Sequence, residues 1–407
     1  MNLTVDTPWP TRPFWSLARR VDRPGHQDEK LLSVYRELGV VPKSSRNDNF
    51  NRASEDLSTY KLVNAGDLVL NKMKTWQGSL AVSEYRGIVS PAYFVCELSS
   101  LVHARFLHHL LRSGPFIAMY LAMSKGIRNN QWDLPYDSLR NLQVPLPHMG
   151  DQRRIAEFLD DRVSRIDRII AARREQQKLL VLGVRSEREK LLRSAPDRVR
   201  ASRFVRVLPG FAFQSSGFTS NSNDTPLLRG INVGVGRIDW SHTVYWPRDG
   251  GTEMAAFRLT AGDVVMGMDR PWITQGMRIA TVGPEDNSPL LLQRVAKLVP
   301  LNGLDADFMR CAYESDQFRE QVESTLTGLS VPHLSADQIG AFVMPWGDSS
   351  WQLRVAHQVA DYRRDAVVRQ STLTRSIDLL TEYKQSLITA AVTGQLDVTT
   401  ASTRIPE

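Results

Sequence analysis

Gln152-Arg153-Arg154-Ile155-Ala156 recurs as Gln352-Leu353-Arg354-Val355-Ala356, 200 residues further along a chain of 407, and each copy opens a long heptad-patterned stretch. A period of that length marks a duplicated domain, because solenoid and propeller repeats are several-fold shorter. The order read outward from the two motifs is globule, helix, globule, helix.

The duplication can be followed through the helices. Leu159, Ile166, Arg173 and Leu180 reappear at the same offset as Val359, Ala366, Leu373 and Leu380. Val163, Ile170, Gln177 and Val184 interleave to complete a 4-3-4-3 seam, echoed by Arg363, Gln370, Ile377 and Lys384, with Leu387 one step further on. The distal seam is the more polar. Sustained heptads predict a coiled coil, each helix roughly forty residues and about 60 Å long, and the two can form one antiparallel coiled coil only if the globule between them sits at one end. Two helices that merely cover their own globules are the competing reading, weakened by length, since globular helices usually end before about twenty residues. Ala195-Pro196-Asp197 and Gly394 close the two copies. Gly183 inside the first is a candidate bend.

The globules diverge more. Asn64-Ala65-Gly66-Asp67-Leu68-Val69 corresponds to Thr260-Ala261-Gly262-Asp263-Val264-Val265 at an offset of 196, so insertions and deletions separate the copies. Both read as a turn feeding a buried strand. Strand candidates Ile88–Val95 and Val295–Val299 alternate with helical patterns at Ala104–Leu111 and Asp307–Val322, which predicts an α+β fold with an internal pseudo-two-fold repeat. The predicted domains are residues 1–150 and 196–350 as globules, 151–195 and 351–396 as helices, and 397–407 as a tail.

Composition sets the class. The chain is 42% hydrophobic, has no secretory-type N-terminus and no 18-residue uncharged apolar run, so a cytoplasmic protein without a membrane partner is expected. Cys96 and Cys311 fall in different globules and support neither a disulfide framework nor a zinc site. A net charge of +7 suits a polyanionic partner. Catalytic signatures are missing: there is no phosphate-binding Gly-rich loop ending in Lys-Ser/Thr, Gly234-Val235-Gly236 lacks a third glycine, and no Asn/Asp-Pro-Pro-aromatic run exists to grip a flipped base. His108-His109 read as structural.

Each globule instead interleaves polar and basic residues with aromatics just after its Gly-Asp strand. The first has Asn71-Lys72-Met73-Lys74-Thr75-Trp76-Gln77-Gly78, then Arg86 and Ser90-Pro91-Ala92-Tyr93; the second has Met268-Asp269-Arg270-Pro271-Trp272-Ile273-Thr274-Gln275-Gly276. Another cluster, Ser124-Lys125-Gly126-Ile127-Arg128-Asn129-Asn130-Gln131, corresponds to Thr327-Gly328-Leu329-Ser330-Val331-Pro332-His333. Lys and Arg neutralise phosphates, while Gln, Asn and Arg can grip base edges in the major groove. Solvated loops with a core-anchoring Trp are the bland alternative, and recurrence at corresponding places weighs against it.

These motifs, with Val144-Pro145-Leu146-Pro147 ahead of the first Gln-x-Arg-Ile-Ala and the terminal Tyr383-Lys384-Gln385-Ser386-Leu387-Ile388-Thr389-Ala390-Ala391-Val392-Thr393-Gly394-Gln395-Leu396, resemble the specificity subunit of type I restriction-modification enzymes across nearly the whole chain. Phe342-Val343-Met344-Pro345-Trp346 departs from the fuller Pro-x-Pro of the first copy. The resemblance implies two target-recognition domains that each read half of a bipartite double-stranded DNA sequence, with two copies of a methylation subunit docked on the assembly. It implies no cofactor for this chain itself. S-adenosylmethionine belongs to the methylation subunits, which modify adenine N6, and ATP and Mg2+ to an ATP-dependent translocase-nuclease subunit, two copies of which can join. The DNA-binding candidates are Lys72, Lys74, Thr75, Trp76, Gln77, Arg86, Tyr93, Lys125, Arg128, Asn129 and Asn130 in the first globule. In the second they are Arg270, Trp272, Thr274, Gln275, Arg278, Gln293, Arg294, Ser330 and His333. Two readings from other classes stay open: a coiled-coil adaptor with two protein-binding heads, and the recognition module of a fused methyltransferase-endonuclease.

Overall fold

A computed structural model describes residues 5–45, 54–126, 132–248, 252–323, 325 and 332–399. Two helices of 45 residues each, Met149–Arg193 and Ser349–Thr393, carry the predicted seams. The chain divides into two compact units: Met1–Glu175 with Thr374–Glu407, and Gln176–Leu373. The first long helix therefore passes from the first unit into the second and the second long helix passes back, which is the antiparallel sense.

Burial follows the heptads. Leu159, Ile166 and Ile170 on the first helix and Val359 and Leu387 on the second are buried. Val163, Leu180, Ala366, Leu373, Ile377 and Leu380 are intermediate, as are Arg173, Gln177, Val184, Arg363, Gln370 and Lys384. In the first unit Ile166 and Ile170 share one buried cluster with Leu387, Ile388, Ala391 and Val392, and Lys384 Nζ meets Asp167 at 2.6 Å. In the second unit Leu192 shares a core with Val355 and Val359, while Glu314 accepts from both Arg188, at 3.4 Å, and Arg363. The first helix runs through Gly183 without interruption, because the glycine faces open space and no neighbour forces a bend.

The globules repeat one topology. Strands Ala18–Val21, Tyr93–Leu98, Leu68–Asn71 and Leu80–Val82 form an antiparallel sheet in that order, matched in the second unit by Val205–Pro209, Val295–Pro300, Val264–Gly267 and Ile279–Thr281. The Gly-Asp turns that start the central strands are alike in detail. Gly66 and Gly262 both adopt φ +94°, in the left-handed region that favours glycine. Asp67 Oδ2 accepts from Asn64 N at 2.8 Å, and Asp263 Oδ2 accepts from Thr260 N at 2.8 Å. Ile88–Val95 is two strands broken at the Ser90-Pro91 turn. The pattern at Asp307–Val322 is two helices, Ala306–Tyr313 and Asp316–Glu323, because Ser315 Oγ accepts from Phe318 N and starts the second one afresh. Each unit adds small sheets: Leu32–Tyr35 pairs with Gly39–Pro42 and Lys61–Val63 with Gly87–Val89 in the first, and Tyr245–Trp246, Thr225–Leu228 and Leu290–Leu291 join in the second. Both cysteines are buried thiols, pushed up by burial to about 12 at Cys96 and about 11 at Cys311. Among the described residues no helix is long and apolar enough to cross a membrane.

The glutamine of the recurring motif explains its recurrence. Gln152 is 1% exposed; its Oε1 accepts from His103 N at 2.7 Å and its Nε2 donates to Pro147 O at 2.9 Å. Gln352, also 1% exposed, accepts from Asp305 N at 3.0 Å and donates to Gly347 O at 3.0 Å. Each amide thus locks the start of a long helix onto the start of a globular one. Gln152→Ala and Gln352→Ala should each lower stability by about 1–3 kcal/mol through buried groups left unpaired, measured by urea unfolding.

A charge cluster adds a second lock in the first unit. Asp160 on the long helix lies 2.7 Å from Arg105 Nη2 and 2.8 Å from His109 Nε2. Burial alone would raise the Asp160 carboxyl, but hydrogen bonds from His109 and Arg105 and their charges outweigh it and hold the group well below the usual carboxylate range. A depressed carboxylate stabilises the fold above its unfolded value and loses that contribution as pH falls through the folded one. Below roughly pH 4, acid unfolding should therefore be steeper for the wild type than for Asp160→Asn, measured by circular dichroism against pH.

Candidate nucleic-acid interface

In the first unit, strand Leu68–Asn71 runs into a tight turn. Lys74 N and Thr75 Oγ1 both donate to Asn71 O, at 2.8 and 2.7 Å, and Gly78 closes the turn with φ +89°. The segment ahead of helix Tyr136–Arg140 is stitched onto this turn: Leu134 N donates to Lys72 O at 3.0 Å, and Lys72 Nζ meets Asp133 Oδ2 at 3.2 Å. Trp76 packs on Trp132 with ring centroids 5.0 Å apart. Lys125 and Asp133 exchange backbone hydrogen bonds of 2.8 and 2.9 Å. Sheet register places Tyr93 opposite Asn71. Arg20 lies over the rings of Phe94 and Tyr136, 5.0 and 5.2 Å from their centroids. Lys61 Nζ donates to Tyr93 O at 3.1 Å; burial pushes its ammonium down, Asp22 opposes this, and Arg20 and Lys72 reinforce it. Arg20, Lys61 and Lys72 thus form one cationic neighbourhood.

The second unit repeats the stitching. Leu334 N donates to Met268 O at 2.9 Å and Arg270 N to Pro332 O at 2.8 Å. Asp269 Oδ1 lies 2.8 Å from His333 Nδ1 and 3.7 Å from Arg294 Nη1. Arg270 and Arg294 both hold left-handed backbone, φ 45° and 71°, which non-glycine residues seldom adopt and which tends to collect at functional sites. Gln293 is exposed beside them, its backbone N–H donating to Phe211 O. Strands Trp272–Ile273 and Gly276–Met277 form a hairpin with Thr274 and Gln275 at its exposed tip. Trp272 contacts Phe318 at 5.8 Å. Hairpin residues line a cavity of about 550 Å³ whose other wall includes Leu180, Val184 and Ala366 of the long helices.

The structure therefore gathers Lys72, Trp76, Tyr93 and Lys125 in one place, with Lys74 and Gln77 on the same turn, and Arg270, Gln293, Arg294 and His333 in another. Thr75 is fully buried with its hydroxyl spent on the turn, so it shapes that turn rather than facing a ligand. Arg86 pairs with Glu29 and Asn64 at the opposite end of the central strand from Lys72. Arg278 donates to Val233 O and Asp269 O, both at 2.9 Å, and burial pushes its guanidinium down; it braces the site. Trp272, Thr274 and Gln275 overlook the helix pair. Arg128, Asn129, Asn130 and Ser330 lie outside the described residues. Arg20, Lys61, Trp132, Asp133, Tyr136 and Asp269 were not among the sequence candidates. Trp132 and Asp133 directly follow the Lys125 cluster and could have been included, whereas Arg20 and Lys61 join the site only through sheet pairing.

Comparison with known proteins gives no matching family model. The chain is 31% identical over 157 residues to the Escherichia coli type I restriction enzyme EcoAI specificity subunit, which covers 38% of this chain and 26% of that one. It is 26% identical over 209 residues to the Methanocaldococcus jannaschii type I restriction enzyme MjaVIII specificity subunit, covering 48% and 49%. The chain thus matches about half or less of the length of these curated relatives. Its fold is that of a chain solved in work on complex assembly and conformational transition of the type I R-M system, with TM-score 0.72 and 14% identity over 97% of this chain and 100% of that one. These relatives are specificity subunits, as the sequence resemblance indicated.

The bracing role of Arg278 has a measurable consequence. Arg278→Met leaves two backbone carbonyls without their donor and should lower stability by about 1–3 kcal/mol, read by urea unfolding. A variant that keeps full stability and loses only ligand affinity would show that Arg278 acts on the ligand directly.

Proposed function

We propose that this chain is the DNA-recognition subunit of a type I restriction-modification system, working in the cytoplasm without catalytic chemistry of its own. Each globule reads one half of a bipartite duplex target, and two methylation subunits dock on the chain. In that assembly the methylation subunits carry S-adenosylmethionine and modify adenine N6, and a translocase-nuclease subunit brings ATP and Mg2+.

The observation that carries this reading is the recurrence of one construction. In both globules the turn after the central strand is stitched by a backbone hydrogen bond to the segment ahead of the next helix, Lys72 with Leu134 and Met268 with Leu334. Each stitched pair presents cations, with aromatics or amides beside them, on a framework held by a rigid sheet. Cations supply the phosphate contacts that set affinity, and amide and guanidinium groups supply base contacts that set specificity. Fixed geometry suits reading, whereas methylation needs the base taken out of the stack into a partner's pocket. Val181, Leu182, Val367 and Val368 leave apolar side chains 54–68% exposed on the long helices, which supports a protein partner there.

The test is a methylome. Cells carrying the chain with its methylation subunit should show methylated adenine in one bipartite motif that disappears when this chain is deleted. Replacing residues 196–350 by those of a relative should change one half of the motif and leave the other intact. A change in both halves, or methyl transfer by the purified chain alone, would overturn the reading.

A further inference from the structure

We propose that Asp133 and Asp269 are intramolecular stand-ins for DNA phosphates, each carboxylate occupying the cations of its own reading site until a duplex displaces it. This rests on the reading that the two stitched sites face DNA.

Residues 133 and 333 are equivalent, since each precedes the leucine whose N–H is stitched to the opposing turn. At the first site the carboxylate sits on the stitched segment and the cation on the turn: Asp133 Oδ2 is 3.2 Å from Lys72 Nζ. At the second the carboxylate is on the turn: Asp269 Oδ1 lies 2.8 Å from His333 Nδ1 on the segment and 3.7 Å from the guanidinium of Arg294, which precedes strand Val295–Pro300. The duplicated fold moves the carboxylate from the segment to the turn, one residue beyond the equivalent of Lys72, and still sets it beside a cation, which points to a requirement for the pair rather than for either side chain.

Neither pair is an efficient structural ion pair. The side chains are 35–50% exposed at Lys72 and Asp133, and 34–56% exposed at Asp269 and Arg294, so solvent screens them and they contribute little to folding. Each is also poorly satisfied. Asp133 Oδ1 is sealed from solvent and has no hydrogen-bond partner among the described residues. His333 Nδ1 lies 2.8 Å from Asp269 Oδ1 and 3.2 Å from Arg294 Nη1. One nitrogen cannot donate to a carboxylate and accept from a guanidinium at once, so one of those contacts is surplus; with Nδ1 donating to Asp269, it is Arg294 that is left to take another acceptor. A phosphate oxygen carries the same charge as the carboxylate and bonds the same donors at the same distances. The stand-ins give selectivity: on arbitrary DNA nothing offsets the displaced carboxylate, whereas at the target base contacts do.

The experiment measures binding of the full chain to a random-sequence duplex by fluorescence anisotropy across a NaCl series. Asp133→Asn and Asp269→Asn keep side-chain shape and remove the competing charge. Each should tighten binding about three-fold at moderate salt and steepen the slope of log affinity against log salt by about 0.9, one added phosphate contact. The exposed Asp137→Asn controls for general charge and should leave the slope unchanged. Lys72→Gln should abolish the gain from Asp133→Asn, because no cation is then released. If Asp133→Asn and Asp269→Asn only match Asp137→Asn in affinity and slope, the stand-in role is overturned while the DNA reading stands. If the wild type binds no duplex at any salt, the DNA reading falls and this inference with it.

Discussion

A helix of 45 residues with a narrow apolar stripe cannot bury that stripe alone, and this constraint organises the chain. Each long helix gives one half to each unit, so both units are completed by helix segments from distant parts of the sequence. The core of the first unit takes in Leu387, Ile388, Ala391 and Val392 from the last turns of the second long helix. That core is unfinished until residue 392 has been made, although its sheet and globular helices lie in the first 150 residues. Burial at seam positions and exposure on their flanks is the pattern expected of a coiled coil, where the apolar area removed from water lies along one line.

What the duplication keeps is backbone hydrogen bonding, and what it varies is charge. The buried glutamines, the Gly-Asp turns and the stitched leucines recur with nearly the same distances in both units. The ion pairs do not. Where the first unit sets Asp160 of the long helix against Arg105 and His109 of the globule, the second sets Arg363 of the long helix against Glu314. Buried peptide groups must be satisfied in one specific way, while an ion pair can carry either sign on either side. A scaffold of that kind tolerates two recognition surfaces of different chemistry without losing its frame.

The sheet does more for the sites than the loops suggest. Tyr93 reaches the Lys72 turn because strand register places it opposite Asn71, and Arg20 reaches the same neighbourhood from an edge strand by lying over Phe94 and Tyr136. In the second unit, Arg278 on the strand side holds both Val233 and Asp269, and Asp269 in turn lies beside His333 and Arg294. Residues read as contacts in the sequence thus separate into those that face outward and those that hold the others in position.

By itself the sequence determined the duplication and both long helices to within a few residues, because heptad spacing is a local property that survives substitution. It also marked the turns at Lys72 and Asp269 and the segments before Leu134 and Leu334, since Gly-Asp chemistry and basic-aromatic composition are visible one residue at a time. Only the tertiary structure decided that Thr75 is sealed in its turn, that Arg86 lies at the far end of the strand, and that Arg278 spends its guanidinium on carbonyls. It alone brought Arg20 and Lys61 to Lys72. The physical reason is that a charged side chain looks the same in sequence whether it meets solvent, a carboxylate or a backbone oxygen. Which of these it meets depends on strand pairing between residues fifty or more positions apart.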